Sequence, residues 1–217
     1  QLTLILKNHL SLGIDLGSSG VRVAVINNKR DLLHTSSMQY SRNLEEWEDW
    51  IECCLRLIID IPKDLKEKLI TCAIAGTSGT LLACKENGKP IGKALPYYLS
   101  FPEHSKEISE LSLKECPAFS SSSSVARALR LTSIFGNELI LRHQADWISG
   151  WLLNDWEYGE EGNNLRMGWD ISKGSWPKTF ENLRWKRCLP KIVPSGTILG
   201  NISNKIAIEL NLPKSLK

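Results

Sequence analysis

No apolar run in the 217-residue sequence approaches the ~18 residues that a membrane-crossing helix needs, so no membrane span is expected. Residues 1–12 are apolar but short, and no small-residue cleavage site follows a basic head. They read as a tag remnant or the lead-in to a first strand, not as a signal peptide. No C-x-x-C pair occurs among the six cysteines (53, 54, 72, 84, 116, 188), and the four histidines (9, 34, 104, 143) form no H-E-x-x-H. Neither a disulfide framework nor a zinc site is suggested, and buried, reduced thiols in a cytoplasmic protein are expected. Charge of one sign is also scarce: 27 basic residues are scattered among 24 acidic ones, a net charge of +3, too mild to imply nucleic acid. The basic stretch Arg184-Trp185-Lys186-Arg187 reads as a solvated face. No repeat of 20–50 residues is present. At 42% hydrophobic and 24% charged, the composition is that of an ordinary globular chain, long enough for one large domain or one and a half.

The pattern is α/β with a mixed sheet. Leu10 to Leu16 and Val21 to Ile26 read as a hairpin, and Asp31 to Tyr40 as a third strand of a meander. Trp47, Trp50, Ile51, Cys54, Leu55, Ile58 and Ile59 share one helical face. Asn43 with Glu46 is expected to cap that helix and Pro62 to end it. Trp47 and Trp50 are assigned to the core. Leu69 to Ala75 reads as a buried strand, Thr80 to Cys84 as another, and Asn87-Gly88 as a hairpin turn. The serine run 120–124 is expected to supply a buried turn and an N-cap for a helix from Val125, closed by Gly136-Asn137. Leu139 to Leu141 reads as a short strand and Asp146 to Leu153 as a helix. Asn154 to Trp169 reads as a long loop, Pro177 to Leu183 as a short helix, Ile198 to Ile202 as a strand, and Ser203 to Leu210 as a last, Ser203-capped helix.

The sharpest chemical feature is Gly13-Ile-Asp15-Leu-Gly17-Ser18-Ser19-Gly20-Val-Arg22. An unpaired carboxylate at the end of a buried strand is costly and calls for a cation or hydrogen bonds. Two glycines then bracket two hydroxyls, and successive N–H groups in such a bend form an anion-binding concavity. Asp15 suits Mg²⁺ held through water while the bend takes a phosphate. The competing reading is a plain hairpin whose Asp15 bonds its own turn. A Walker A loop is excluded because no Gly-Lys-Ser/Thr follows, and a dinucleotide fingerprint because a strand follows. A second Gly-hydroxyl-hydroxyl-Gly bend, Gly76-Thr77-Ser78-Gly79, ends another apolar strand, and its hydroxyls and amides suit a polyol or phosphate.

Leu12 to Arg22, then Ala73-Ile-Ala-Gly-Thr-Ser-Gly-Thr80, Ser121-Ser-Ser-Ser-Val-Ala-Arg127, Gln144-Ala-Asp146-Trp147 and Asn163-Asn-Leu-Arg-Met-Gly-Trp169 together resemble the FGGY carbohydrate kinases. Within them the chain looks most like the small xylulokinase-like proteins of cyanobacteria and plant plastids. The resemblance implies a ribonuclease H-like (actin-like ATPase) domain, with residues 10–212 as the N-terminal, sugar-binding-side domain of the kinase. The C-terminal nucleotide-binding domain, which carries the family's catalytic aspartate, is then absent from this chain. The resemblance further implies a cytoplasmic, ATP- and Mg²⁺-dependent enzyme acting on a small sugar, a ketopentose such as D-ribulose or D-xylulose. Asp15 would stand beside the transferring phosphoryl group and its Mg²⁺, and Gly17, Ser18, Ser19 and Gly20 would form the phosphate loop. Thr77, Ser78 and Gly79 would line the sugar side, with Gln144 and Asp146 in the pocket wall. Three segments depart from the family pattern: Ala75 replaces an aspartate, Pro96-Tyr97-Tyr98-Leu99 an aromatic followed by Asn-Gln, and Glu160-Glu161-Gly162-Asn163 an Asp-containing loop. A catalytically inactive sugar- or nucleotide-binding descendant, and another actin-like ATPase, remain alternatives. Trp147, Trp151, Trp156 and Trp169 suit either sugar stacking or packing.

Overall fold

Leucine, isoleucine and valine at every second position set the first sheet. The computed structural model describes residues 9–111 and 115–217, so most of the N-terminal stretch read as a tag or lead-in lies outside the described residues. Strands β1 (Leu10–Leu16), β2 (Gly20–Asn27) and β3 (Leu32–Gln39) form the expected antiparallel meander. β4 (Leu69–Gly76) joins β1 in parallel, giving the order β3-β2-β1-β4. Leu10, Leu12, Ile14 and Leu16 of β1 and Val21, Val23 and Val25 of β2 are buried. Ser11, Gly13 and Asp15 therefore face the other side, since side chains alternate along a strand.

These strands belong to a compact unit that runs to Gly76 and includes Leu152–Asn154 and Ile198–Lys217. Helix α1 (Trp47–Ile59) packs on β2 and β3. Its buried face is Asp49, Trp50, Cys53, Cys54, Leu57 and Ile58, with Ile59 exposed and Trp47 half-buried. The apolar pattern placed that face slightly off, and a buried carboxylate explains the rotation. Asp49 accepts from Ser41 Oγ at 3.1 Å, from the Arg42 backbone N–H at 2.7 Å, and from Arg42 Nε and Nη2 at 2.9 and 2.6 Å. Those bonds draw an acidic position inward. The expected Asn43 cap does not form either: Glu46 occupies the N-cap position but its side chain makes no capping bond, and Asn43 Oδ1 accepts from Glu45 N–H instead.

Burial by itself would raise the Asp49 carboxyl, but the bonds from Arg42 and Ser41 outweigh it and hold the pKa below the ordinary value. A lowered folded pKa means stability that is full at neutral pH and lost as pH falls through that pKa. Asp49→Asn is therefore expected to cost about 2 kcal/mol at pH 7, less than the ~3–5 of a fully buried pair because Arg42 is partly exposed. Urea unfolding at pH 7 and pH 3 checks this. The gap between parent and variant should narrow at pH 3, and a gap of constant size would refute the assignment.

The end of the chain folds back onto this unit. The last helix, Asn204–Leu210, is capped as expected by Ser203, whose Oγ accepts from Ile206 N–H. Ile198 to Ile202 is not the expected strand: its Ile202 N–H bonds to Leu216 O, outside any ladder. Lys217 lies along the outer edge of β4, accepting from Cys72 N–H at 2.7 Å and donating to Ile70 O at 3.1 Å.

The second unit comprises Thr77–Trp151 and Asp155–Thr197. β5 (Leu81–Cys84) pairs antiparallel with β6 (Ile140–His143). The Asn87-Gly88 turn forms, with Gly88 at φ +78°. Helix α2 (Ser105–Leu111) precedes the serine run, which behaves as expected. Ser123 and Ser124 are buried, and Ser123 Oγ accepts from Ala126 N–H at the start of α3 (Ser124–Phe135). Gly136 closes α3 at φ +78°. Helix α4 spans Gln144–Leu153. Residues 154–169 are more ordered than a bare loop. They contain β7 (Tyr158–Glu160), which pairs in parallel with β8 (Lys191–Val193), and a 3-10 turn at Leu165–Met167. Three-residue elements carry too little periodicity to be read from sequence. A 3-10 helix, Lys178–Asn182, occupies the expected short helix.

Five tryptophans of this unit pack. Trp147 is buried and donates to Gly88 O at 2.9 Å. Trp156 donates to Trp147 O at 3.0 Å and lies so close to Gly88 and Gly150 that a Cβ on either would sit 2.2 Å from its ring. Trp169, Trp176, Phe180 and Trp185 form a continuous aromatic ladder. The six cysteines are free, four of them buried, and Arg184, Lys186 and Arg187 are exposed.

Candidate functional site

Three carbonyls of the first bend, those of Gly17, Ser19 and Gly20, are engaged within the fold. Gly17 N–H bonds to Gly20 O at 2.8 Å, Tyr40 N–H to Ser19 O at 2.9 Å, and the Tyr40 hydroxyl to Gly17 O at 3.0 Å. Ser18 and Ser19 are exposed, and among the described residues no partner takes their backbone N–H or hydroxyl groups. With those three carbonyls engaged, the open amides and hydroxyls of Ser18 and Ser19 can donate to an anion. Gly20 is needed for close approach: a Cβ there would lie 2.2 Å from Met38 O.

Asp15 differs from the sequence expectation. Its side chain is exposed on the open face of the sheet, not buried, so no desolvation cost demands a cation. Nor does it bond its own turn. It lies opposite Arg22 in the β1–β2 register and forms an exposed 3.8 Å ion pair with it. In the parallel register it faces Ala75, so one carboxylate stands there and not two. An exposed carboxylate next to hydroxyls and free amides fits a magnesium ion that keeps most of its water shell. Leu16 lies opposite Gly76, so the strands leading into the two bends end side by side.

In the second unit, the bend at Thr77–Gly79 is tied to α4. Gln144 is fully buried, and its Oε1 accepts from Thr77 N–H at 2.9 Å and from the Thr77 hydroxyl at 2.8 Å. Thr77 Oγ1 also lies 2.7 Å from Thr80 Oγ1, which accepts from Tyr97 N–H at 3.3 Å. A hydroxyl carries one proton, so with Thr77 donating to Gln144 the Thr80 proton turns to Thr77. Thr77 and Gln144 thus shape the bend, while Ser78 is its exposed hydroxyl. Gly79 holds φ +92°, a conformation that favours glycine.

Asp146 is buried and its oxygens are occupied. Oδ1 accepts from Glu160 N–H at 3.0 Å and Asn163 Nδ2 at 2.9 Å, and Oδ2 accepts from Asn164 Nδ2 at 3.1 Å. It holds the 160–164 segment in place. Ser124 Oγ lies 2.9 Å from His143 Nε2, and His143 Nδ1 lies 3.8 Å from Asp146 Oδ2. This has the order of a nucleophilic triad, but 3.8 Å is too long for a hydrogen bond and Ser124 is fully buried. The string joins the start of α3 to the start of α4.

Sequence reasoning assigned no role to Arg127 and Arg166. Arg127 is fully buried; Nη1 donates to the carbonyls of Pro96, Tyr97 and Leu99, and Nη2 to that of Ser122. Both arginines lie in segments that carry the family resemblance, but neither their type nor their spacing marks them.

The fold, a mixed sheet with flanking helices, is shared with solved carbohydrate-kinase structures. A carbohydrate kinase from Novosphingobium aromaticivorans superimposes with a TM-score of 0.81 at 15% identity, over 97% of this chain and 48% of its own. Plasmodium falciparum glycerol kinase with ADP gives 0.77 at 18%, over 94% and 47%. Xylulose kinase from Lactobacillus acidophilus gives 0.77 at 10%, over 96% and 47%. The chain spans about half the length of each. No family model matches it.

Proposed function

We propose that this chain is the sugar-binding-side half of an ATP-dependent sugar kinase, with residues 10–212 as its first domain and a ketopentose, D-ribulose or D-xylulose, as acceptor. The observation that carries this reading is the first bend, which leaves the amides and hydroxyls of Ser18 and Ser19 open beside the exposed carboxylate of Asp15. Phosphoryl transfer asks a protein chiefly for positioning and charge neutralisation, and these groups supply both. The free amides and hydroxyls of Ser18 and Ser19, between Gly17 and Gly20, hold phosphate oxygens. Asp15 would hold Mg²⁺, which would offset charge on the transferring group. Ser78, on the bend shaped by Thr77, Gly79 and Gln144, bonds the sugar, while Asp146 acts from behind by fixing residues 160–164. The proton of the attacking hydroxyl passes to an aspartate of the second domain.

The test is ADP release by the full-length gene product against a panel of ketoses. Sugar-dependent release is expected, strongest with a ketopentose; none with any sugar overturns the reading. The substitution at Ala75, in register with Asp15, favours a second reading, a sugar-binding descendant without turnover. Calorimetric sugar binding without ADP release would establish that instead.

A further inference from the structure

Two guanidinium groups meet beneath the second bend. Arg127 Nη2 and Arg166 Nη2 both donate to Ser122 O, at 2.9 and 2.5 Å. From the point where a Cβ on Gly79 would sit, Arg127 Nη2 is 2.8 Å away, and Arg166 Nη1 and Ser124 Oγ are each 3.6 Å away. Among the described residues neither arginine pairs with a carboxylate, and the buried Nε of Arg127 has no partner. The acids of the neighbouring segment are engaged elsewhere, Asp146 with Asn163 and Asn164, and Glu160 with Asn163 and Ser195. Burial, and then the charge of Arg166, push the Arg127 pKa down to about 9.

Two cations converging on one neutral oxygen repel each other, and backbone carbonyls satisfy their donors without cancelling their charge. An oxyanion reverses the sign of that interaction, and guanidinium donors match its geometry. We propose that Arg166, backed by Arg127, forms an oxyanion site at the second bend that takes a carboxylate or phosphate group. Arg166 is half-buried and reaches the ligand. Arg127 lies behind it as a fixed charge and positioning residue. The inference rests on the second bend facing a ligand, as in the sugar-kinase reading.

Thermal melting of the chain in sodium phosphate, sodium gluconate, D-ribulose and sodium chloride, at matched ionic strength, tests it without ATP. A saturable rise in melting temperature with phosphate or gluconate, absent with chloride, is expected. A response to phosphate alone assigns a phosphate site, and a response to gluconate a carboxylate site. Arg166→Gln should raise the half-saturating anion concentration about 10-fold or more, the loss of a charge-assisted bond. No saturable anion response in the parent, or an unchanged one in Arg166→Gln, overturns the proposal. Because no nucleotide is present, that failure is separate from failure of the ADP-release assay.

Discussion

Asp15→Asn is expected to reduce sugar-dependent ADP release by the full-length gene product about 100- to 1,000-fold, the range for loss of one preorganised electrostatic group in a transition state. Folding should hardly change. The side chain is exposed and its ion pair with Arg22 spans 3.8 Å in open solvent, so stability should move by no more than ~0.5 kcal/mol. This combination of large kinetic loss and small stability loss separates a phosphoryl-side carboxylate from a structural one. Steady-state kinetics beside urea unfolding reads both. An Asp15→Asn protein that keeps full turnover would remove Asp15 from the mechanism.

Gly20→Ala should instead cost much stability. A Cβ at Gly20 meets Met38 O at 2.2 Å and Gln39 Cα at 2.8 Å, both backbone atoms of β3 that cannot swing aside. The strand must shift, at an expected cost of about 3 kcal/mol, the upper part of the range for overpacking. Gly17→Ala is the control. Its Cβ would lie 3.4 Å from Gly20 O, an ordinary contact, and it should cost under ~1 kcal/mol. Denaturant unfolding of the two variants gives the comparison. Equal losses would show that the bend is not held by β3 as described.

Much of the first unit was legible because its periods are strong. Strict alternation in β1 and β2 specifies which side chains face the core, and a one-residue slip would expose all of them. The helix at 47–59 was equally plain, yet its rotation was not, because Arg42 and Ser41 draw Asp49 inward through tertiary bonds. The cap at Asn43 failed for a related reason: local side-chain bonds compete, and Asn43 bonds to Glu45 before the helix begins. The short strands β7 and β8 stayed hidden because each is stabilised by a partner about 30 residues away, not by its own pattern.

The site divides the same way. Residue order alone determined the two glycine-bracketed hydroxyl bends and the aspartate at a strand end, because those features rest on local backbone chemistry. Only the tertiary structure decided what each group is free to do. It exposed Asp15, turned the first bend's carbonyls onto Tyr40, occupied Gln144 and Asp146 within the fold, and brought Arg127 and Arg166 to one carbonyl. Burial and hydrogen-bond partners are set by residues distant in sequence, and they determine whether a polar group supports the fold or remains open to a ligand.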